Sequence, residues 1–158
     1  RLRPNKGAVV LGMSTKNIRD HYAVRALLEG EAAYLAAQEG TDISGIEAVY
    51  KDMKRSLAEK NYSAYKDYNE SFHMAIWKAC GNEKLEHLAA NLWSGLSMGY
   101  LVTEEEYAKI SSIEHDELMQ ALRAHDGKRA RALMVAHMKR SMEDVLTNYR
   151  SFVTRGEK

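Results

Sequence analysis

Three histidines in the second half of the chain, His73, His115 and His137, are spaced so that a helical bundle brings them to one point. Between the last two lies a polar break, His125-Asp126-Gly127, and Asp126 stands eleven residues from each of them. If residues 105–125 and 127–152 form antiparallel helices, the axial rises on either side cancel and the two imidazoles end level. A third arm comes from Asn69-Glu70-Ser71-Phe72-His73, where Asn69 and His73 are four residues apart. At about 3.6 residues per turn they lie about 40° apart around a helix, so both side chains reach one ion. Three imidazoles and one oxygen donor make a transition-metal shell with positions left for water or a ligand. Histidine-rich ligation leans away from magnesium and calcium, which prefer oxygen; zinc is favoured, with nickel, manganese and iron as alternatives.

A single histidine on an apolar helical face is more often a hydrogen-bonded core residue than a ligand, and it is the convergence of three that shifts the balance. His115 shares its face with Ser111, Leu118 and Leu122, His137 with Ala130, Leu133, Met134 and Ser141, and His73 with Ile76, Trp77 and Cys80. Glu70 is the rival oxygen donor to Asn69, about 60° around the helix from His73, and its plainer role is a solvated edge residue. His21, His87 and His125 lack such partners and are expected at the surface or as outer supports of the site. Arg25 has two readings of equal weight. It faces a cavity and attracts an anion, or it pairs along its own helix with Glu29 for about 0.3–0.5 kcal/mol. Asn91 and Ser94 are weaker pocket candidates. A metal-dependent enzyme is the rival function, because open coordination at three histidines can activate water. Hydrolysis also wants a general base, and Glu114, beside His115, points about 100° away from it around the helix.

These groups require helices to hold them. The single proline is Pro4, and beyond it the alanine, leucine, methionine, glutamate and lysine content is that of an all-α chain. The first helix is expected over about Asn17–Gln38, stopped by Gly40, with Val24, Leu27, Leu28, Tyr34 and Leu35 among its buried residues. A second starts after Asp42 and carries Ile46, Val49, Met53 and Leu57 inward. The third spans roughly Tyr62–Ala79 and ends at Gly81. The fourth, about Glu83–Val102, is apolar around much of its circumference, which suits a central helix and a cavity wall. The fifth and sixth carry His115 and His137. Residues 1–13 do not read as helix; Pro4-Asn5-Lys6-Gly7 is a turn and Ala8–Leu11 a short extended segment.

At 158 residues the chain is long enough for one domain with a real core. Its 23 basic and 22 acidic residues leave a net charge of +1, so bulk charge does not support nucleic-acid binding by this piece. The one cysteine, Cys80, cannot form an internal disulfide. With no signal peptide and no uncharged apolar run of about 18 residues, the expectation is a cytoplasmic protein that engages no membrane. The chain begins at Arg1 rather than methionine, which points to a piece missing upstream.

Assembled, these segments resemble the FadR-type C-terminal ligand-binding (FCD) domain of GntR-family bacterial transcription regulators. Ala23-Val24-Arg25-Ala26-Leu27-Leu28-Glu29 followed by Ala36-Ala37 is similar to the opening helix of that family. Tyr68-Asn69-Glu70-Ser71-Phe72-His73-Met74-Ala75-Ile76, with Cys80-Gly81-Asn82 behind it, resembles its first ligand helix and turn. Glu114-His115-Asp116-Glu117-Leu118-Met119-Gln120-Ala121-Leu122 and Ala132-Leu133-Met134-Val135-Ala136-His137-Met138 resemble its two later histidine segments. The resemblance covers roughly residues 17–152, and their order and spacing make it specific. It implies an antiparallel bundle of six or seven helices enclosing a metal and effector pocket. Asn69, His73, His115 and His137 are then the metal ligands, and Arg25 helps anchor a small carboxylate or sugar-acid effector, which the polar residues of the fourth helix, Asn91 and Ser94, are placed to contact as pocket candidates. It also implies a homodimer, operator DNA bound through an N-terminal winged-helix domain that is missing here, residues 1–13 as the remnant of its wing and linker, and residues 14–158 as the effector domain. The position of Asn69 is often aspartate in the family. With a neutral amide there, the ion's double charge stays uncompensated, which favours an anionic effector and weakens metal retention.

Overall fold

The computed structural model describes residues 14–93 and 103–156, and the side chains of those up to Ser151. The expected wing remnant over residues 1–13 and residues 94–102, Ser94 among them, lie outside the described residues, and the fourth helix, expected to run on to about Val102, ends at Leu92 with Trp93 as its non-helical cap. Within the described residues the fold is all-α: α1 (Thr15–Ala36), α2 (Ser44–Ala58), α3 (Tyr62–Ala79), α4 (Glu83–Leu92), α5 (Glu104–Arg123) and α6 (Gly127–Gly156).

Most of the boundaries follow from local chemistry. Ser14, Asn61, Asn82 and Asp126 each accept a backbone N–H three residues ahead, at 3.0–3.1 Å, which satisfies an otherwise orphaned donor at a helix start. Thr103 does the same in a reciprocal box with Glu106. Helix ends are closed by residues in the left-handed region: Gly81 after α3 and, with a side chain to accommodate, Lys60 after α2 and His125 after α5.

α1 packs along α6 and α2 along α3, while α5 lies on α6 and reaches α3 and α2. The main core joins Ile46 and Met53 of α2, Tyr65, Phe72, Ile76 and Trp77 of α3, Leu118, Met119 and Leu122 of α5, and Met134 and Met138 of α6. A smaller cluster closes the other end with Ile18, Tyr22, Val145 and Leu146. The small residues Ala32, Ala33 and Ala36 on α1 are buried, and a Cβ added at Gly30 would meet Val135 at 2.9 Å, so α1 and α6 run close together.

The first helix departs from the sequence expectation. Val24 and Leu27 are 46% and 74% exposed, and Leu28, Tyr34 and Leu35 are only partly buried. The buried stripe is instead Ile18, Tyr22, Arg25, Glu29, Ala32, Ala33 and Ala36. It follows helical spacing as well as the expected one does, but it turns an arginine and a glutamate inward. A choice of face by apolar content alone misses it, because these two charges satisfy each other and a histidine inside the bundle.

Candidate metal centre

His73 stands on α3, His115 on α5 and His137 on α6, and the three are 1%, 0% and 4% exposed. Their ring centroids are separated by 5.6 Å (His73–His115), 5.2 Å (His73–His137) and 5.0 Å (His115–His137). One nitrogen from each lies within 4.8 Å of those of the other two. The α5–α6 turn produces the level placement that the eleven-residue symmetry around Asp126 predicts.

The Nδ1 side of each ring faces outward to a partner. Nδ1 of His73 lies 2.5 Å from Oε2 of Glu29 on α1, and Nδ1 of His137 lies 2.6 Å from Oε2 of Glu114 on α5. The Tyr65 hydroxyl is 3.4 Å from Nδ1 of His115. On the opposite side, the buried Nε2 atoms of His73 and His115 have no hydrogen-bond partner among the described residues. Orphaned buried ring nitrogens are costly unless something else takes them up, and clustered nitrogens with free lone pairs fit a transition metal.

Electrostatics agrees with neutral rings at His115 and His137. Burial, then the neighbouring His137 and His73, holds His115 well below the usual imidazole pKa. Burial also lowers His137, against the opposing pull of its hydrogen bond to Glu114. Both are therefore in the state that binds a cation. Burial opposes the charges of Glu29 and Glu114, but histidine and arginine partners outweigh it and hold each carboxylate at about 2.

The sequence-predicted residues divide plainly. Asn69 is buried on the α3 face that carries His73, and the Ser111 hydroxyl donates to its Oδ1 at 3.4 Å. Glu70, the rival oxygen donor, is exposed and turned away from the cluster. Arg25 is 2% exposed, its guanidinium held between the Tyr22 and Trp93 rings at 5.3 and 4.7 Å. It lies inside the bundle and pairs with Glu29, the partner of His73, as the ion-pair reading expects. Asn91 is exposed, because α4 buries Leu85 and Ala89, and a residue two positions beyond Ala89 points to the opposite side. His87 and His125 are at the surface, while His21 is half-buried with its ring edge on Tyr22.

Sequence reasoning named Glu29 only as a partner of Arg25 and Glu114 only as an ill-placed base, and missed Tyr65 and Arg140. Glu114 does point away from His115, but toward His137, where Arg140 also grips it at 2.7 Å through both Nε and Nη2. The available signal was geometric: a residue about 100° from a ligand on one helix faces the neighbouring helix that carries the next ligand.

Comparison with known proteins decides the family. Residues 20–140 match the model of the FCD domain. This chain belongs to the FCD family of GntR-type regulators. It is 31% identical over 151 residues to the HTH-type transcriptional regulator LutR of Bacillus subtilis (strain 168), covering 90% of this chain and 68% of that protein. The fold is also similar to that of McbR/YncC of E. coli, with a TM-score of 0.76 and 17% identity, covering 94% of this chain and 73% of the other. The FCD domain has an effector-sensing, regulatory role, and the relative from Bacillus subtilis is a transcriptional regulator. No described helix is long and apolar enough to cross a membrane.

Proposed function

We propose that this domain senses a small carboxylate or sugar acid at a divalent metal held by His73, His115, His137 and Asn69. The observation that carries the proposal is the convergence of the three buried histidines, with unpartnered Nε2 atoms on His73 and His115. The metal supplies a Lewis-acidic, doubly positive centre that attracts an anionic ligand. All four protein donors are neutral, so an effector carboxylate offsets charge that the protein leaves uncompensated. Zinc fits the histidine-rich set best, with nickel, manganese and iron as alternatives. Arg25 presents the donors that Glu29 does not use to the effector's anionic end. Effector binding then biases the packing of α1, which leads toward an N-terminal DNA-reading domain acting on operator DNA as a homodimer.

The enzyme alternative gains nothing from the geometry. The two carboxylates nearest the histidines are each held by an arginine and a histidine, which leaves neither as a general base.

The test is a thermal-shift screen of metal-loaded and chelated protein against small carboxylates and sugar acids. A stabilising shift that appears only with metal present is the expected result. A shift of equal size after chelation would place the effector away from the metal. His137→Ala is expected to lose most of the bound metal by elemental analysis, and unchanged metal content in that variant would remove His137 from the ligand set.

A further inference from the structure

We propose that Glu29 and Glu114 are the positioning residues of this centre, each taking the Nδ1–H of one histidine and so committing His73 and His137 to bind the ion through Nε2. The inference rests on the reading that the cluster holds a metal. A neutral imidazole carries one proton, and the nitrogen that keeps it cannot be a ligand. An ionised carboxylate only accepts, so the 2.5 Å and 2.6 Å contacts place the proton on Nδ1 of both rings. These contacts are not incidental neighbours along one helix. Glu29 reaches from α1 to α3, and Glu114 from α5 to α6.

Each carboxylate is itself fixed. Nε and Nη2 of Arg25 donate to Oε1 of Glu29 at 2.9 and 2.6 Å, leaving Oε2 for His73. Arg140 donates from Nε to Oε1 and from Nη2 to Oε2 of Glu114, and is held in turn by Asp144 at 2.5 Å. An arginine behind each glutamate keeps the carboxylate from swinging inward to become a ligand, so the donor set stays neutral. His115 is the exception, since only the Tyr65 hydroxyl lies near its Nδ1. Its Nδ1 has the longest outer contact of the three, and the order of importance among the outer partners follows: Glu29 and Glu114 before Tyr65.

Glu29→Gln tests this sharply because the amide cannot imitate both contacts. Its oxygen must face the Arg25 cation, which turns the NH2 group toward Nδ1 of His73. A donor there moves the ring proton to Nε2, the nitrogen the ion needs.

The experiment is a zinc(II) titration of the wild-type chain, Glu29→Gln, Glu114→Gln, Tyr65→Phe and the surface control Glu47→Gln, with helicity followed by circular dichroism. Long-range 1H–15N NMR of the imidazoles is recorded on the zinc-loaded wild type. Expected are metallated Nε2 with retained Nδ1–H at His73 and His137, and zinc affinity about 10–100-fold lower in both glutamine variants at native helicity. Tyr65→Phe should lose less, and Glu47→Gln should stay within about twofold. Wild-type affinity in both glutamine variants, or zinc on Nδ1 of His73 and His137, would overturn the proposal. If a glutamine variant does not fold, the nitrogen assignment in the wild type decides alone. Wild-type protein that takes up no zinc, nickel or manganese would overturn the metal reading itself and this inference with it.

Discussion

In the centre proposed above, Asn69 is the residue whose chemistry most limits the ion, because it would offer a neutral oxygen where a carboxylate would bring charge. Asn69→Asp adds one negative charge to a buried shell, and ligand charge count is a main determinant of cation affinity. The variant is expected to bind zinc at least about tenfold more tightly while its anionic effector binds less well, both readable by calorimetry. Tighter metal binding with unchanged effector affinity would show that the effector does not answer the ion's charge. Protons compete at the same rings. His115 titrates below its ordinary 6.5 chiefly through burial, so the unfolded chain takes up the proton first and stability falls as pH drops below that value. Glu114, at about 2 against an ordinary 4.5, stabilises the fold above the higher value and loses that contribution as pH approaches the lower. Both effects have one sign. Urea midpoints of chelated protein are therefore expected to decline below about pH 6.5 and more steeply below about 4.5, with His115→Gln reducing the upper part of the decline, to which His137 also contributes. A stability maximum near pH 5 would contradict this. His115 and His137 were legible from spacing, because their distances run along the chain to a shared turn, and His73 from the apolar stripe it shares with Ile76 and Trp77. Their partners were not, since Glu29 meets a residue 44 positions away, which no local pattern encodes.

The α5–α6 turn is the element on which the site's register depends, since it sets His115 and His137 level. His125 occupies its left-handed position at φ 53°, fully outside the core. The backbone N–H of Asp126 reaches the Ala121 carbonyl at 3.0 Å and that of His125 reaches Leu122 at 3.1 Å, which is the paired closure that glycine serves best. His125→Gly should raise stability by up to about 1 kcal/mol, the relief of left-handed strain less the added freedom of the unfolded chain. Asp126→Ala removes the acceptor for the Arg129 N–H and should cost about 1 kcal/mol. Chemical denaturation with an unchanged m-value checks both, and a destabilised His125→Gly would show that the exposed imidazole makes a contact worth more than the strain. Helix existence and most ends were legible because caps and left-handed closers are local. α3 agrees to the residue with its expected span, since Asn61 and Gly81 bracket it. The inward face of α1 was not legible, because Val24 and Leu27 look like core until Arg25 and Glu29 find partners on other helices.

At the scale of the whole molecule the histidines stand where α3, α5 and α6 meet inside the shared core. α1 lies along α6 and α2 along α3, and the bound ion would join α3 to α5 and α6, with Glu29 extending the link to α1. Metal should therefore stabilise the bundle as a unit rather than stiffen one loop. With free zinc at about a hundred times its dissociation constant, mass action gives about 2.7 kcal/mol. Chelation should lower the unfolding free energy by that order and raise amide exchange in the middle turns of α3, α5 and α6 together, with α1 responding around Glu29. Glu29→Gln separates two routes to that response. If α1 feels the ion through the Glu29–His73 contact, its metal-dependent protection shrinks in the variant while that of α5 and α6 persists once zinc is raised to restore occupancy. If α1 responds only because it packs along α6, its protection returns in full with occupancy. The first outcome makes the Glu29 contact the physical path from the sensing centre to the helix that leads toward the N-terminus, and the second moves that path to the α1–α6 interface at Gly30 and Val135.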